Sequence, residues 1–314
     1  MKRKLSSLLA VIFILLVVAV GSSWAEKLTL MLDWFPNVDH VPIYVAQQEG
    51  YFAEKGLEVK IMSPSETTDA LKLAASDNVD LAVSYQPQAV IGLARGLKIN
   101  VVGRLVENPL GVLLFLKDKG FKVPTDLNGK KIGYTVPGTE EVLIGAFAKL
   151  NGVKDISLVN VGFAIVPSLT SGKVDAIMGP YKNYETIALE DAGYPSDFFQ
   201  LQDWGVPTYD ELIFITGPKA LEKKEAAVKN FVDAIEHGIA FARANPEKAL
   251  EDFFKAVPDA EKSMETRAFK LTLPHFAKSQ KHDPARWQTF ADFAHENGLI
   301  DKAIVTRPNL KSWK

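Results

Sequence analysis

The sequence predicts an α/β fold of two lobes facing each other across a ligand cleft. From Lys27 onward, short β-type runs alternate with helix-type segments, the pattern of parallel sheets covered by helices. A nine-residue pattern also repeats: residues 171–179 (SGKVDAIMG) resemble residues 76–84 (SDNVDLAVS). Each copy follows a helix-like segment and ends a strand in a small residue. Two lobes built on one supersecondary unit explain this repeat better than one large sheet does.

The elements follow in order along the chain. Short apolar runs predict strands, and longer segments between them predict helices. The predicted strands are residues 27–32, 58–62, 79–83, 100–105, 111–116, 131–134, 157–160, 174–178 and 211–216. Helical stretches between them include residues 41–55, 67–76, 139–151 and 181–191. After Thr216 only helices are predicted, at residues 223–244, 246–256, 260–272 and 284–297.

Two segments are predicted to cross between the lobes. Residues 107–111 and 204–211 both carry Pro and Gly, which is typical of crossover or hinge strands. The predicted lobe 1 therefore comprises residues 26–110 and 212–314, with a helical C-terminal part, and lobe 2 comprises residues 111–211.

The N-terminus has the layout of a secretory signal peptide. Met1-Lys2-Arg3-Lys4 is a basic start, residues 8–20 are an unbroken apolar run, and Ser23-Trp24-Ala25 places small residues before a cut at Glu26. The alternative, a membrane anchor, needs about 20 apolar residues to cross the hydrocarbon core. We expect residues 1–25 to be removed, leaving an exported, periplasmic or extracytoplasmic protein with a formal charge of −5.

Composition excludes several function classes. The 314 residues include 36 Lys and Arg against 38 Asp and Glu, with no basic stripe of the kind that nucleic acid requires. The absence of Cys excludes disulfides, thiol catalysis and cysteine-based metal sites. The five His residues show no metal-ligand spacing, and neither a GxSxG nor a phosphate-binding glycine pattern occurs. We therefore expect no enzyme, no cofactor and no metal.

The predicted ligand site lies where the strands end, because ligands of open sheets bind outside the carboxyl ends of the strands. Four aromatic side chains at these positions are candidates to enclose a planar ring, although each could instead cap its lobe's core: Trp34, Tyr85, Tyr181 and Tyr209. Glu185 is a candidate to pair with an aminopyrimidine edge, with a solvated helix charge as the alternative. Gly138 and Thr139 open a helix and offer backbone N–H groups. His40 follows the first strand and is either a ligand contact or a helix-start residue.

These residues carry a family resemblance. The stretch 32–40 (LDWFPNVDH), with residues 43–47 (IYVAQ) and 49–52 (EGYF), resembles solute-binding proteins of ABC importers in the ThiY group of the NMT1/THI5-like family. Further matches are residues 82–86 (AVSYQ), 183–185 (NYE) and 205–212 (GVPTYDEL). The resemblance covers nearly the whole chain after residue 25.

The resemblance implies a type II periplasmic-binding-protein fold, a monomer that closes on a small molecule and presents it to a membrane permease. The implied ligand is a formylated aminopyrimidine, a thiamin precursor. The implied binding residues are Trp34, Asn37, His40, Tyr85, Gln86, Asn183 and Glu185, with Gly138 and Thr139 at the turn where the fungal relatives hold a phosphate. The glycine spacing there differs, so the resemblance does not extend to phosphate recognition.

The sequence is also compatible with other functions. The same fold also binds riboflavin-like molecules, sulfonates, nitrate and taurine, but only Lys182 offers a cation in the predicted cleft loops. The family also contains pyrimidine synthases, which resemble this chain but carry a cysteine-rich metal segment at the position of residues 205–209 and a lysine in the loop of residues 84–86. This sequence has neither. A sensor module that docks onto a receptor would use the same closure.

Overall fold

The computed structural model describes residues 25–313, so nearly all of the predicted signal peptide lies outside the described residues. Ten strands form two five-stranded sheets. The strands are β1 (Glu26–Met31), β2 (Leu57–Met62), β3 (Leu81–Ser84), β4 (Asn100–Val106), β5 (Gly111–Leu116), β6 (Lys131–Tyr134), β7 (Ser157–Asn160), β8 (Ala176–Tyr181), β9 (Ser196–Gln200) and β10 (Leu212–Thr216). Lobe 1 is defined here by the sheet β2-β1-β3-β10-β4 and lobe 2 by the sheet β7-β6-β8-β5-β9.

Eleven α-helices surround the sheets of the described chain. They are α1 (Val41–Gln48), α2 (Tyr51–Glu54), α3 (Asp69–Ala75), α4 (Gln86–Ala94), α5 (Glu140–Asn151), α6 (Ile165–Thr170), α7 (Glu185–Asp191), α8 (Pro218–Ala244), α9 (Pro246–Ala256), α10 (Lys262–Thr272) and α11 (Pro284–Glu296). Among residues 25–313, no helix is both long and apolar enough to cross a bilayer.

The sheets are mixed, which corrects the expectation of parallel sheets. β10 runs antiparallel to both β3 and β4, and β5 runs antiparallel to both β8 and β9. These two strands are the ones that follow the two crossings between the lobes. After each crossing, the chain enters the interior of a sheet and runs opposite to the strands on both sides. The remaining pairs, such as β1 with β2 and β6 with β7, are parallel.

Several element boundaries also differ from the sequence prediction. The predicted helix 41–55 is broken at Gly50, whose φ of 82° is left-handed and separates α1 from α2. The predicted helix 181–191 begins only at Glu185, because Tyr181 still belongs to β8. α8 begins at Pro218 rather than residue 223 and is kinked at Lys224. Strand β9 and helices α4 and α6 are additional to the predicted elements.

The repeated sequence pattern occupies equivalent places. β3 and β8 are the central strands of their sheets. Asp80, just before β3, accepts from the backbone N–H of Thr29 at 2.8 Å. Asp175, just before β8, accepts from the backbone N–H of Lys131 at 3.0 Å. In both lobes an aspartate therefore ties the central strand to the neighbouring parallel strand.

The helical C-terminal part holds both crossings. Arg286 on α11 donates to the carbonyl oxygens of Glu107 and Tyr209, each at 2.7 Å, and so binds one residue of each crossing. The fully buried Trp287 donates from Nε1 to Asp210 at 3.0 Å. The crossings are thereby fixed against α11 rather than left as free linkers, and they set the floor of the cleft.

Candidate ligand-binding cleft

A cleft of about 800 Å³, including the solvent at its mouth, lies between the two sheets. Lobe 1 lines it with residues that follow β1 and β3, and lobe 2 with residues that follow β6 and β8. Residues of both crossings form its floor. Its polar and aromatic lining comprises Asp33, Trp34, Asn37, Asp39, His40, Tyr85, Thr135, Thr139, Glu140, Tyr181, Tyr184, Glu185, Tyr209 and Glu211.

The wall of lobe 1 is a closed hydrogen-bond network around Asp33. The backbone N–H of Asn37 donates to His40 Nδ1 at 3.3 Å, so the proton of the imidazole resides on Nε2. Nε2 then donates to Asp33 Oδ1 at 2.9 Å, and the Tyr85 hydroxyl donates to Asp33 Oδ2 at 2.8 Å. Burial, together with Asp33, raises the pKa of Tyr85 well above its usual range. This wall is preorganised without a ligand, because both oxygens of Asp33 are already paired.

The wall of lobe 2 holds two carboxyl groups against backbone amides. Glu140, the first residue of α5, accepts from the N–H of Thr135 at 2.5 Å and of Val136 at 3.1 Å. Glu185, the first residue of α7, accepts from the N–H of Tyr181 at 2.6 Å through Oε2. Burial raises the pKa of each of these glutamates to about 7, against the lowering effect of the amide donors. Both groups therefore change charge near neutral pH.

The floor of the cleft carries a third glutamate. Glu211 accepts from the N–H of Leu110 at 2.5 Å and of Gly111 at 2.8 Å, so it joins the two crossings. Burial raises its pKa to about 7. Tyr209 lies beside it, since a Cβ on Gly111 would be 3.3 Å from the Tyr209 hydroxyl and 3.6 Å from Glu211 Oε2. The floor therefore presents the Glu211 carboxyl group beside the Tyr209 hydroxyl.

The two lobes contact each other at the front of the cleft. Asn183 of lobe 2 donates from Nδ2 to Asp39 at 2.9 Å and to Thr272 at 2.6 Å. The Tyr184 hydroxyl donates to Glu265 on α10 at 2.8 Å. Burial raises the pKa of Asp39 to about 6. Because these bonds join the lobes directly and those of Asn183 are buried, the structure represents a closed cleft.

Aromatic contacts close the same side. The Trp34 ring meets the Phe163 ring of lobe 2 edge-on, with centroids 4.5 Å apart, and Phe35 contacts Phe163 at 4.7 Å. Trp34 is half-buried and lines the cleft. Its indole is therefore in place both to contact a ligand and to join the lobes.

Most of the predicted binding residues lie together in this cleft. Those that line it are Trp34, Asn37, His40, Tyr85, Thr139, Tyr181, Glu185 and Tyr209. The other three predicted residues are not among the lining residues and make structural contacts. Gln86 accepts from the N–H of Asp210 at 2.8 Å, the N–H of Gly138 donates to Glu141 at 2.6 Å, and Asn183 forms the lobe contact described above.

Four lining carboxylates were not among the predicted binding residues: Asp33, Asp39, Glu140 and Glu211. Asp33 and Glu140 stand next to predicted residues, so the strand-end rule could have selected them. Asp39 and Glu211 can be recognised as lining residues only from the structure, in which the two lobes approach each other. Within residues 25–313, no group of three or more His, Asp or Glu side chains is arranged to hold a metal ion.

Comparison with known proteins places this cleft in a family. A family model described as NMT1/THI5 like matches residues 37–249, which include most of the lining residues. The chain belongs to the NMT1/THI5-like family. A Haemophilus influenzae protein named as a thiamine biosynthesis protein is 38% identical over 296 residues, covering 93% of this chain and 94% of that protein. The predicted family resemblance is confirmed.

Two further relatives of this NMT1/THI5-like chain differ in their names. A formylaminopyrimidine-binding protein of Halalkalibacterium halodurans is 37% identical over 227 residues, covering 72% of this chain and 69% of that protein. A 4-amino-5-hydroxymethyl-2-methylpyrimidine phosphate synthase of Legionella pneumophila is 27% identical over 286 residues, covering 90% of each chain. The sequence relationship thus extends to a binding protein and to an enzyme.

Solved structures identify the fold of the NMT1/THI5-like chain. The alkanesulfonate-binding protein SsuA of Xanthomonas axonopodis superposes with a TM-score of 0.71 at 14% identity, covering 91% of this chain and 98% of that one. A Candida albicans gene product described as having the generic periplasmic binding protein fold gives a TM-score of 0.72 at 17% identity, covering 91% and 96%. The predicted type II periplasmic-binding-protein fold is confirmed.

Proposed function

We propose that this protein is the extracytoplasmic solute-binding component of an ABC importer and that it binds an aminopyrimidine precursor of thiamin of the formylaminopyrimidine type. The ligand lies between the lobes, and a membrane permease recognises the closed state. In this proposal the protein is exported by residues 1–25, acts as a monomer and catalyses no reaction.

The observation that carries the proposal is the charge of the cleft. Five carboxyl groups line it: Asp33, Asp39, Glu140, Glu185 and Glu211. The described lining residues include no Lys or Arg. A sulfonate, nitrate or other anion would have to be desolvated against these carboxylates without a countercharge. A flat ligand rich in N–H donors suits the same groups. The lining therefore favours an aminopyrimidine over the anionic alternatives.

Glu185 supplies the specific recognition. Its Oε2 is held by the N–H of Tyr181, which fixes the carboxyl plane at the edge of the cleft. A carboxyl group accepts from an exocyclic amine while it shares one proton with the adjacent ring nitrogen, giving two parallel hydrogen bonds. Because the pKa of Glu185 is about 7, the group takes either protonation state at little cost near neutral pH. Trp34 and the tyrosines contact the ring faces.

Closure follows from contacts that both lobes make. Trp34 belongs to lobe 1 and Glu185 to lobe 2, so a ligand that contacts both binds the closed state more tightly than the open one and shifts the population toward it. The relative named as a formylaminopyrimidine-binding protein supports this assignment. A riboflavin-like ligand remains an alternative for the same aromatic cleft.

An enzyme of the pyrimidine-synthase type is the second candidate, since a relative at 27% identity carries that name. The sequence has no cysteine and no lysine in residues 84–86, the two features of the synthases noted above. Incubation of the purified protein with pyridoxal phosphate and iron tests this candidate. Formation of a pyrimidine product would establish it.

The main experiment is isothermal titration of the purified mature chain with formylaminopyrimidine, hydroxymethylpyrimidine, thiamin, riboflavin, taurine and nitrate. We expect binding of the aminopyrimidines and a loss of about 100-fold in affinity for E185Q. E222Q is the matched control, because Glu222 is an exposed residue of α8 and is not among the lining residues. Binding of an anion or of riboflavin alone would overturn the ligand assignment.

A further inference from the structure

The turn that precedes α5 contains an internal anion. Glu140 directs its carboxylate back onto the turn, where it accepts from the N–H groups of Thr135 and Val136 and from the Thr135 hydroxyl at 2.9 Å. The next glutamate acts on the following amide: Glu141 accepts from the N–H of Gly138 at 2.6 Å. Two side chains of the protein thus take the hydrogen bonds that an exogenous anion at this position would need.

No amide of this turn is left for a ligand. Thr139 and Glu140 donate their own N–H groups to the Val136 carbonyl at 3.2 and 3.1 Å, and Pro137 has no N–H. Every backbone donor from residue 135 to residue 140 is therefore used within the chain. An anion entering the cleft here would have to displace Glu140.

Packing prevents that displacement. Glu140 is buried, and β8 passes directly against it at Gly179. A Cβ on Gly179 would lie 2.2 Å from Glu140 Oε1 and 2.7 Å from the Thr135 hydroxyl oxygen. The Thr67 hydroxyl of lobe 1 also donates to the Thr135 carbonyl at 2.7 Å, which holds the turn in the closed cleft. The carboxylate is consequently fixed in its position.

The charged side chains that line the cleft beside Glu140 are also carboxyl groups. Glu211 on the floor is a second carboxyl group near the tyrosines that Glu140 also faces. The cation that reaches the turn is Arg95 of lobe 1, whose Nη1 would be 2.9 Å from a Cβ on Gly138, and it is not among the lining residues. Inside the cleft, an anionic substituent meets carboxylates and finds no paired cation among the described lining residues.

We propose that Glu140 is a specificity-determining residue that makes the cleft reject phosphorylated and other anionic forms of its ligand. The inference rests on the proposed function, because it concerns which form of an aminopyrimidine is bound. The neutral alcohol or amide is accepted, whereas its phosphate monoester is excluded by a carboxylate that occupies the anion position. The relevant competitor is a pyrimidine phosphate, the compound class in the name of a 27% identical relative.

Isothermal titration of wild type, E140Q and E222Q with hydroxymethylpyrimidine and its monophosphate tests the proposal. The titrations are done at pH 8, where Glu140 is ionised because its pKa is about 7. We expect wild type to bind the monophosphate at least 100-fold more weakly than the alcohol. That ratio should fall at least tenfold in E140Q and stay within about threefold in E222Q, because Glu222 is exposed and is not among the residues lining the cleft.

The outcomes separate this inference from the proposed function. Binding of neither compound by wild type would overturn the proposed function itself. Equal binding of both by wild type, or an unchanged ratio in E140Q, would overturn the role of Glu140 and leave aminopyrimidine binding intact. If E140Q does not fold, a measurement on wild type alone still tests the proposal. The probe is an acetylaminomethyl analogue, which is uncharged and similar in bulk to the phosphate. We expect wild type to bind it within about tenfold of the formyl compound. Exclusion of that analogue would show that size, not charge, is discriminated.

Discussion

The central strands of the two sheets, β3 and β8, start in the same way and end differently. At their starts, Asp80 and Asp175 make equivalent bonds to a neighbouring strand. At the ends of these strands and of their parallel neighbours β1 and β6, lobe 1 pairs Asp33 with the side chains of His40 and Tyr85, whereas lobe 2 pairs Glu140 and Glu185 with backbone amides. The repeated part supports the sheet. The part that differs forms the cleft, and in lobe 2 burial raises the pKa of both wall glutamates to about 7.

The largest effect expected from this difference is a dependence of stability on pH. Burial raises the pKa of Glu140, Glu185 and Glu211 from 4.5 to about 7, so the folded state binds more protons than the unfolded state between these values. The stabilisation is fully present below about pH 4.5 and is lost as pH rises through 7. We expect the unfolding free energy of the ligand-free protein to fall from pH 5 to pH 8 by about 2.5 kcal/mol for each of the three groups. Urea denaturation measures this, and stability that rises with pH would contradict it.

Substitution of Glu185 tests whether the lobe 2 carboxyl groups serve the ligand. In E185Q one amide oxygen accepts from Tyr181, so the NH₂ group faces the ligand's amine and two donors oppose each other. We expect the affinity for the aminopyrimidine to fall about 100-fold, equivalent to about 2.7 kcal/mol. The melting temperature should be unchanged or higher, because a buried titrating group is removed. A large loss of stability with unchanged affinity would place Glu185 in the scaffold instead.

The corresponding change in lobe 1 should act mainly on stability. In D33N one oxygen is replaced by an NH₂ group that faces a donor, either His40 Nε2–H or the Tyr85 hydroxyl. Leaving a buried donor unpaired costs about 2 kcal/mol. Chemical denaturation of D33N beside D33E, which keeps both oxygens, measures this cost. Full stability of D33N would show that the lobe 1 network is not the preorganised wall described above.

The smallest effects are expected from substitution of Asp80 and Asp175, the two aspartates that support the central strands. Asp80 is bound by the N–H and hydroxyl of Thr29 and by Lys224, whereas Asp175 is bound by one amide and by Lys119. We expect D80A to destabilise the protein by about 1.5 kcal/mol and D175A by about 1 kcal/mol, with ligand affinity nearly unchanged in both. Thermal unfolding and titration of the two variants side by side measure both quantities. A selective loss of ligand affinity in D175A would break the equivalence of the two supports.

The sequence was sufficient for the family, the fold class and most of the cleft. Strand ends are recognisable from local patterns, so residues such as Trp34, Tyr85 and Glu185 were placed correctly in the cleft. The antiparallel insertion of β5 and β10 was not predicted, because strand direction depends on where each crossing enters the other sheet. The short edge strand β9, which pairs only with β5, also lacks a clear local pattern.

The contacts between the lobes were not predicted either, because they depend on how the two lobes are arranged in space. Asn183 was predicted from its local pattern as a ligand contact, and the structure adds bonds to Asp39 and Thr272, which are 144 and 89 residues away in the chain. Likewise Gln86 supports the crossing at Asp210 rather than the cleft. A polar residue at a strand end has the same local pattern in either role, and only the closed arrangement distinguishes them.

The position of β10 determines the order in which the chain completes its sheets. Lobe 2 takes all five of its strands from a continuous stretch, β5 to β9. Lobe 1 instead leaves a gap between β3 and β4 that is filled only by residues 212–216. During synthesis the second half of the molecule therefore has a complete sheet available first. In the N-terminal half, the facing edges of β3 and β4 stay unpaired until β10 has been synthesised. During this interval the chain is most exposed to aggregation.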